Sequence, residues 1–173
     1  MQPFLIRPLS PDDASVFRDT RLAGLQDHPE AFGADFEDES SRSVEWFADR
    51  LRNSAVFGGF NEARELCGLI AVARSQSAKT RHNASIWGMY VKAAYRGTGL
   101  SASLLDAAVS HAFKYCVTVR LAVVESNQPA RRLYSKAGFR EWAKDIAALK
   151  VGDVFHDEIM MRLDKPPSAE TKL

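Results

Sequence analysis

The sequence predicts an α+β domain, a mixed sheet with helices packed on it. Segments of strand character outnumber those of helical periodicity, and apparent hairpins stand on both sides of a central strand–helix–strand–helix block. That order suits an α+β arrangement better than a doubly wound sheet, where strands and helices alternate throughout. The 173 residues are enough for one domain with a substantial core, and residues 1–165 are read as that domain.

Taken in order, Phe4–Arg7 reads as a short strand. Ser10-Pro11-Asp12-Asp13 then starts a helix, with Ser as N-cap, Pro at the first helical position and carboxylates in the first turn. Ala14, Phe17, Leu22 and Leu25 share its apolar face, and it ends near His28-Pro29. A second helix is expected over 43–52, burying Val44, Phe47 and Leu51. Strands at 55–60 and 66–74 flank the polar turn Asn61-Glu62-Ala63-Arg64 and predict a hairpin. After a polar loop at 75–81, residues 84–91 resume strand character. Leu100, Leu104, Leu105, Ala108 and Ala112 recur at helical spacing between Gly99 and Tyr115. Residues 117–123 alternate as a strand; a short helix follows, capped by Asn127 and closed by Gly138. Two late strands, near 140–149 and 154–163, surround Gly152-Asp153. The tail 166–173, with Pro166-Pro167, is expected to be disordered.

Composition narrows the classes. Lys and Arg total 23 against 22 for Asp and Glu, a net charge of +1 that argues against a dedicated nucleic-acid binder. No apolar run approaches the roughly 18 residues of a membrane span, and the N-terminus lacks a signal-peptide pattern. Cys67 and Cys116 are too few for a disulfide framework, and share no zinc-type spacing with the four histidines. No metal site and no membrane partner are expected, and the reading is a cytoplasmic protein.

The most informative stretch is Val91-Lys92-Ala93-Ala94-Tyr95-Arg96-Gly97-Thr98-Gly99-Leu100-Ser101, joining a strand to an amphipathic helix. Two glycines let backbone N–H groups turn outward, and the helix start adds free donors and the positive end of its dipole. The combination makes an anion site suited to phosphate, with Arg96 beside it. A P-loop is excluded because the chain has no Gly-x4-Gly-Lys-Ser/Thr string. Gly97, Gly99 and Ala102 match a dinucleotide fingerprint literally, but five residues separate Val91 from Gly97, and no acidic residue follows at the expected distance. An unliganded glycine turn is the remaining reading.

Arg96-Gly97-Thr98-Gly99-Leu100-Ser101 resembles the Arg/Gln-x-x-Gly-x-Gly/Ala signature of the GNAT superfamily of acyl-CoA-dependent N-acyltransferases, with Ser101 in the last small position. A second segment, from Leu121 to Phe139, is similar to that family's V-x(3)-N-x2-A-x2-L-Y-x-K-x-G-F pattern, and the resemblance extends over about residues 4–163. It implies a mostly antiparallel mixed sheet flanked by helices on both faces, and an N-acetyltransferase using acetyl-CoA as donor co-substrate.

Acyl transfer from a thioester to an amine requires a held cofactor, a neutral amine, a stabilised oxyanion and a protonated leaving thiolate. The resemblance assigns the pyrophosphate to the amides of Arg96, Gly97, Thr98, Gly99, Leu100 and Ser101. It places Met89, Tyr90 and Val91 along the pantetheine, with an N–H of Met89 or Tyr90 facing the thioester carbonyl. Tyr134 is implied as the general acid, and Asn127, a helix cap on its own reading, as a further cofactor contact. The implied partner is a small-molecule or peptide amine, and a homodimer is a possible assembly.

The base is not identifiable from the sequence. The strand Ser85–Tyr90 contains no carboxylate, and Glu125, the Glu37-Asp38-Glu39 cluster, His156 and Asp157 remain alternatives to a water chain. The acid-rich stretch 30–49 is expected to wall the acceptor groove and favour cationic amines, while His28–Gly33 reads as a structural turn. A degenerate acyl-CoA-binding module is the alternative function.

Overall fold

The computed structural model describes residues 4–167, so the expected tail beyond Pro167 lies outside the described residues. Alternation and amphipathic spacing translate into strands β1 (Leu5–Pro8), β2 (Ala55–Phe60), β3 (Leu66–Arg74), β4 (Asn83–Val91), β5 (Thr118–Val124), β6 (Arg140–Val151) and β7 (Val154–Asp164). The helices are α1 (Ala14–Asp27), α2 (Phe36–Ser40), α3 (Val44–Asn53), α4 (Leu100–Ala112) and α5 (Gln128–Lys136). All seven strands form one sheet in the order β1-β2-β3-β4-β5-β7-β6. Every pairing is antiparallel except β4 with β5.

Two apolar clusters sandwich the sheet. On one face Phe17, Leu22 and Leu25 of α1 and Phe47 and Leu51 of α3 pack on Val56, Leu69 and Ala71. On the other, Leu100, Leu104, Leu105, Ala108 and Ala112 of α4 pack on Ile70, Val72, Ile86 and Leu121. Strand β3 feeds both clusters by alternation, which is why it reads as an almost unbroken apolar run.

Four local expectations are corrected. Val44, expected to be buried, is exposed at the start of α3. Ser10 makes no side-chain cap; the Asp13 carboxylate instead accepts the Ser10 N–H at 2.8 Å and the Arg7 fork, and one 3-10 turn (Pro11–Asp13) precedes α1. Helix α4 ends at Ala112 rather than continuing to Tyr115. Helix α2 was not expected; Asp35 caps it by accepting from the N–H groups of Glu37 and Asp38. Its five residues are too few for apolar periodicity to show.

Two features of β4 open the sheet. Leu69 pairs with Tyr90 and Ala71 with Trp87, so Gly88 and Met89 together oppose Ile70 as a bulge. Gly88 sits there at φ +65°, a left-handed conformation that favours glycine. Parallel pairing with β5 holds only from Asn83–Ser85 to Thr118–Arg120. Beyond Ser85 the two strands part, and the wedge between them is the cavity described next.

Candidate active site

The splayed strands enclose a cavity of about 630 Å³. Ile86–Val91 of β4 and Leu121–Val124 of β5 form its sides. Arg96, Gly97 and Ser101 stand at one end, Ser126, Asn127, Pro129, Ala130, Leu133 and Tyr134 on the α5 side, and His28–Phe32, except Pro29, on the α1 side. Of the sequence-predicted site residues, Met89, Tyr90, Val91, Arg96, Gly97, Ser101, Asn127 and Tyr134 meet at this cavity. Thr98, Gly99 and Leu100 do not line it. The Leu100 side chain is fully buried against α4's own cluster, leaving only its backbone for a ligand.

The turn before α4 is shaped by positive φ at Gly97 (+74°) and Gly99 (+92°). None of the amides from Gly97 to Ser101 donates to another backbone carbonyl of the described residues. A Cβ placed on Gly97 would meet nothing within 4 Å, so these donors border open space at the start of a 13-residue helix. That is the donor set a pyrophosphate requires, and the turn fits the group. The Thr98 hydroxyl donates to Tyr95 O at 2.6 Å and braces the turn from within.

Arg96 is tied back to the protein. Its Nε donates to Val91 O at 3.0 Å, and its Nη2 lies 2.9 Å from His28 Nε2. A guanidinium only donates, so His28 accepts at Nε2 and its Nδ1 carries the proton, 3.7 Å from Glu30 Oε1. The side chain thus clasps the end of β4 to the turn after α1. Tyr90 does likewise: its hydroxyl donates to Asp27 Oδ2 at 2.8 Å, and burial, then that hydrogen bond, push its pKa up to about 12. Asn127 spends its carbonyl oxygen on the Ala130 N–H at 3.2 Å, as a helix cap. Its amide nitrogen makes no hydrogen bond to the described residues.

Tyr134 is buried, with its ring edge-on to Phe139 at 5.9 Å between centroids. Burial alone pushes its phenol up to about 12. The hydroxyl makes no hydrogen bond to the described residues.

The base alternatives separate from the cavity. Glu125 and Asp157 both bind Lys144, at 2.7 and 2.9 Å, and Asp157 also accepts the Ala147 N–H. Neither they, nor His156, nor the Glu37–Glu39 cluster line it. Of the acids in the stretch expected to wall the groove, only Glu30 lines the cavity. Glu39 turns inward and takes Nε and Nη2 of Arg21 at 3.0 and 2.9 Å and Nη1 of Arg50 at 3.1 Å. Burial would raise its pKa, but the Arg21 hydrogen bonds and both cations outweigh this and leave it below the usual carboxylate range. Sequence reasoning passed over His28 and Glu30 as parts of a structural turn. Glu30 is the one carboxylate lining the cavity among the described residues.

The family model for the acetyltransferase (GNAT) family matches residues 22–139. The chain belongs to the GNAT acetyltransferase family. Among curated proteins nothing matches. Solved structures share its fold over nearly their whole lengths. A GNAT-family acetyltransferase from Streptococcus pneumoniae superposes with a TM-score of 0.83 at 21% identity, over 94% of this chain and 100% of its own. The yncA protein of Salmonella typhimurium, solved with its cofactor acetyl-CoA, gives 0.79 at 18% identity, over 98% of both chains. A ribosomal-protein-alanine N-acetyltransferase from Brucella melitensis gives 0.77 at 17%, over 93% of this chain and 99% of its own. No helix of the described residues is long and apolar enough to cross a membrane.

Proposed function

We propose that this GNAT protein is an N-acetyltransferase that moves the acetyl group of acetyl-CoA to an amine by direct attack. The observation that carries the reading is Tyr134, a buried phenol at a cavity bordered at one end by Gly97 and Ser101, whose amides are unpaired among the described residues. The Gly97–Ser101 amides hold the pyrophosphate, Met89–Val91 runs beside the pantetheine, and Asn127 offers its free amide nitrogen. When bound, acetyl-CoA supplies a thioester whose C–S bond breaks as the acceptor's C–N bond forms. Tyr134 keeps its proton throughout the neutral range and gives it to the departing sulfur. The proton lost by the amine leaves toward Glu30, directly or through water.

Acetyl-CoA at 100 times its Kd should stabilise the protein by about 2.7 kcal/mol. With an amine panel and thiol release as readout, Tyr134→Phe should lower kcat by about 10²–10⁴-fold and leave acetyl-CoA affinity unchanged. Binding without turnover on any amine would favour the acyl-CoA-binding module; no binding at all would end both readings.

A further inference from the structure

Behind the lining of the cavity on its α1 side lies a donor with no hydrogen-bond partner among the described residues. Arg21 is 4% exposed and sits under the bulge of β4. Two of its nitrogens, Nε and Nη2, grip Glu39. The third, Nη1, is buried without a hydrogen-bond partner. A buried guanidinium N–H left in this condition is destabilising. Arg50, partly exposed, binds the same Glu39 carboxylate, so two cations share one anion and the three side chains keep a net charge of +1.

The position of Nη1 relates this deficit to the reaction site. It faces Gly88, where an added Cβ would come within 3.1 Å of it. Gly88, with no side chain of its own, is thus the thin part of the wall between Nη1 and the cavity. The guanidinium lies 5.4 Å from the ring centroids of both Phe32 and Trp87. Phe32, Trp87 and Gly88 all line the cavity, and Gly88 directly precedes Met89 on the strand that faces the thioester.

We infer that the acceptor amine carries a carboxylate close to its nitrogen, and that Arg21 Nη1, uncovered beside Gly88 when the Phe32 and Trp87 rings shift apart, recognises it. The substrate class is an amino acid or a close analogue with the amine and the carboxylate a few bonds apart. A neutral carbonyl oxygen would satisfy the N–H but leave the cluster's charge unbalanced; a carboxylate satisfies both. A cationic group is disfavoured here, the reverse of what the acid-rich stretch suggests before its Glu39 is seen to be consumed.

This inference rests on the acetyl-transfer reading and specifies its acceptor. The test uses the whole protein, acetyl-CoA, and three matched sets of amines: the standard L-amino acids, their carboxamides, and the corresponding decarboxylated amines. For at least one amino acid, kcat/KM should exceed that of its carboxamide by about 100-fold or more. The comparison is biased against this result, because the carboxamide's amine is the weaker base and loses its proton more readily. Arg21→Lys, which keeps a cation beside Glu39 but has no third arm, should bring the ratio to within a few-fold of one. Acetyl-CoA affinity in that variant reports that the fold is intact, and the wild-type ratio stands as a test should it be unstable. Equal turnover of acid and carboxamide, turnover confined to amines without a carboxylate, no turnover by protein that binds acetyl-CoA, or an acid preference that survives Arg21→Lys each overturns the assignment. Turnover of carboxylate-free amines would do so while leaving acetyl transfer standing; failure to bind acetyl-CoA removes both.

Discussion

The two ends of the cavity are built from different materials. At the α4 end the donors are backbone amides, those of Gly97 and Ser101 at the cavity and those between them in the same turn, and no side chain from elsewhere is needed to make them. At the α1 end the donors are side chains. Arg21, Glu39 and Arg50 come from three helices and meet behind the cavity lining, Arg21 and Glu39 buried and Arg50 partly exposed. A backbone site survives most substitutions that respect its turn, whereas a side-chain cluster fails when any member is removed. The first suits a ligand part common to many reactions, and the second suits the part that makes one reaction specific.

The largest effect that would sharpen this contrast is the activity loss of Tyr134→Phe, because Tyr134 lies between the two ends and touches neither cluster nor turn. Its stability should change little, which a urea titration checks. Next is Glu39→Ala, which leaves the buried Arg21 and the partly exposed Arg50 without their counter-charge and should cost about 3–5 kcal/mol in urea unfolding. A value under 1 kcal/mol would break the comparison, since the cluster would then be ornament. Gly24→Ala comes third. Its Cβ would stand 2.9 Å from Tyr90 Cγ, and overpacking of this kind should cost about 1–3 kcal/mol, with β4 displaced and kcat/KM reduced. Smallest is Lys144→Ala, which breaks exposed pairs with Glu125 and Asp157 and should change stability by no more than about 1 kcal/mol.

Titration separates the regions too. Tyr134 has a folded pKa raised by burial, to about 12. The neutral phenol is therefore favoured by folding, and its contribution is complete below pH 10 and lost as pH rises through 12. The basic limb of kcat should show no loss of Tyr134's proton below about pH 10. Glu39 and Asp13 have depressed pKa values, Glu39 against its own burial and Asp13 chiefly through the Arg7 hydrogen bond. Their contribution is present above the ordinary carboxylate pKa and fades as pH falls through the lowered ones. Acid unfolding should accordingly begin on the α1 side, which hydrogen exchange of α1 and α3 against α4 resolves.

The α4 end was legible in the sequence for the same reason that it is robust. A turn made of glycines and a helix start occupies one contiguous string, and its chemistry follows from backbone geometry. Tyr134 was legible through the pattern of the segment around it and the glycine stop at Gly138. The α1 end was not. Glu39 looks like one of several solvated acids until α2, too short to announce itself, turns it inward toward residues 18 and 11 positions away. His28 and Glu30 belong to a turn whose only sequence signal is Pro29, and nothing local reveals that the turn overhangs a cavity. The bulge at Gly88 was equally hidden, because it is defined by what β3 does opposite it.

The short β4–β5 ladder has a mechanical consequence. Three residue pairs, prolonged at one end by the Val117 and Thr118 N–H groups on His82 O, stitch the β1–β4 portion of the sheet to the β5–β7 portion. The rest of that junction is held by apolar packing, with α4 residues and Leu121, Val123 and Tyr134 in one cluster. Backbone ladders and apolar contacts respond differently to cooling, since hydrophobic stabilisation weakens as temperature falls. The molecule therefore has a seam whose cohesion is set by grease rather than by hydrogen bonds. Chilled, or pulled apart across its strands, it should part there first, while the two pieces of sheet remain intact on either side.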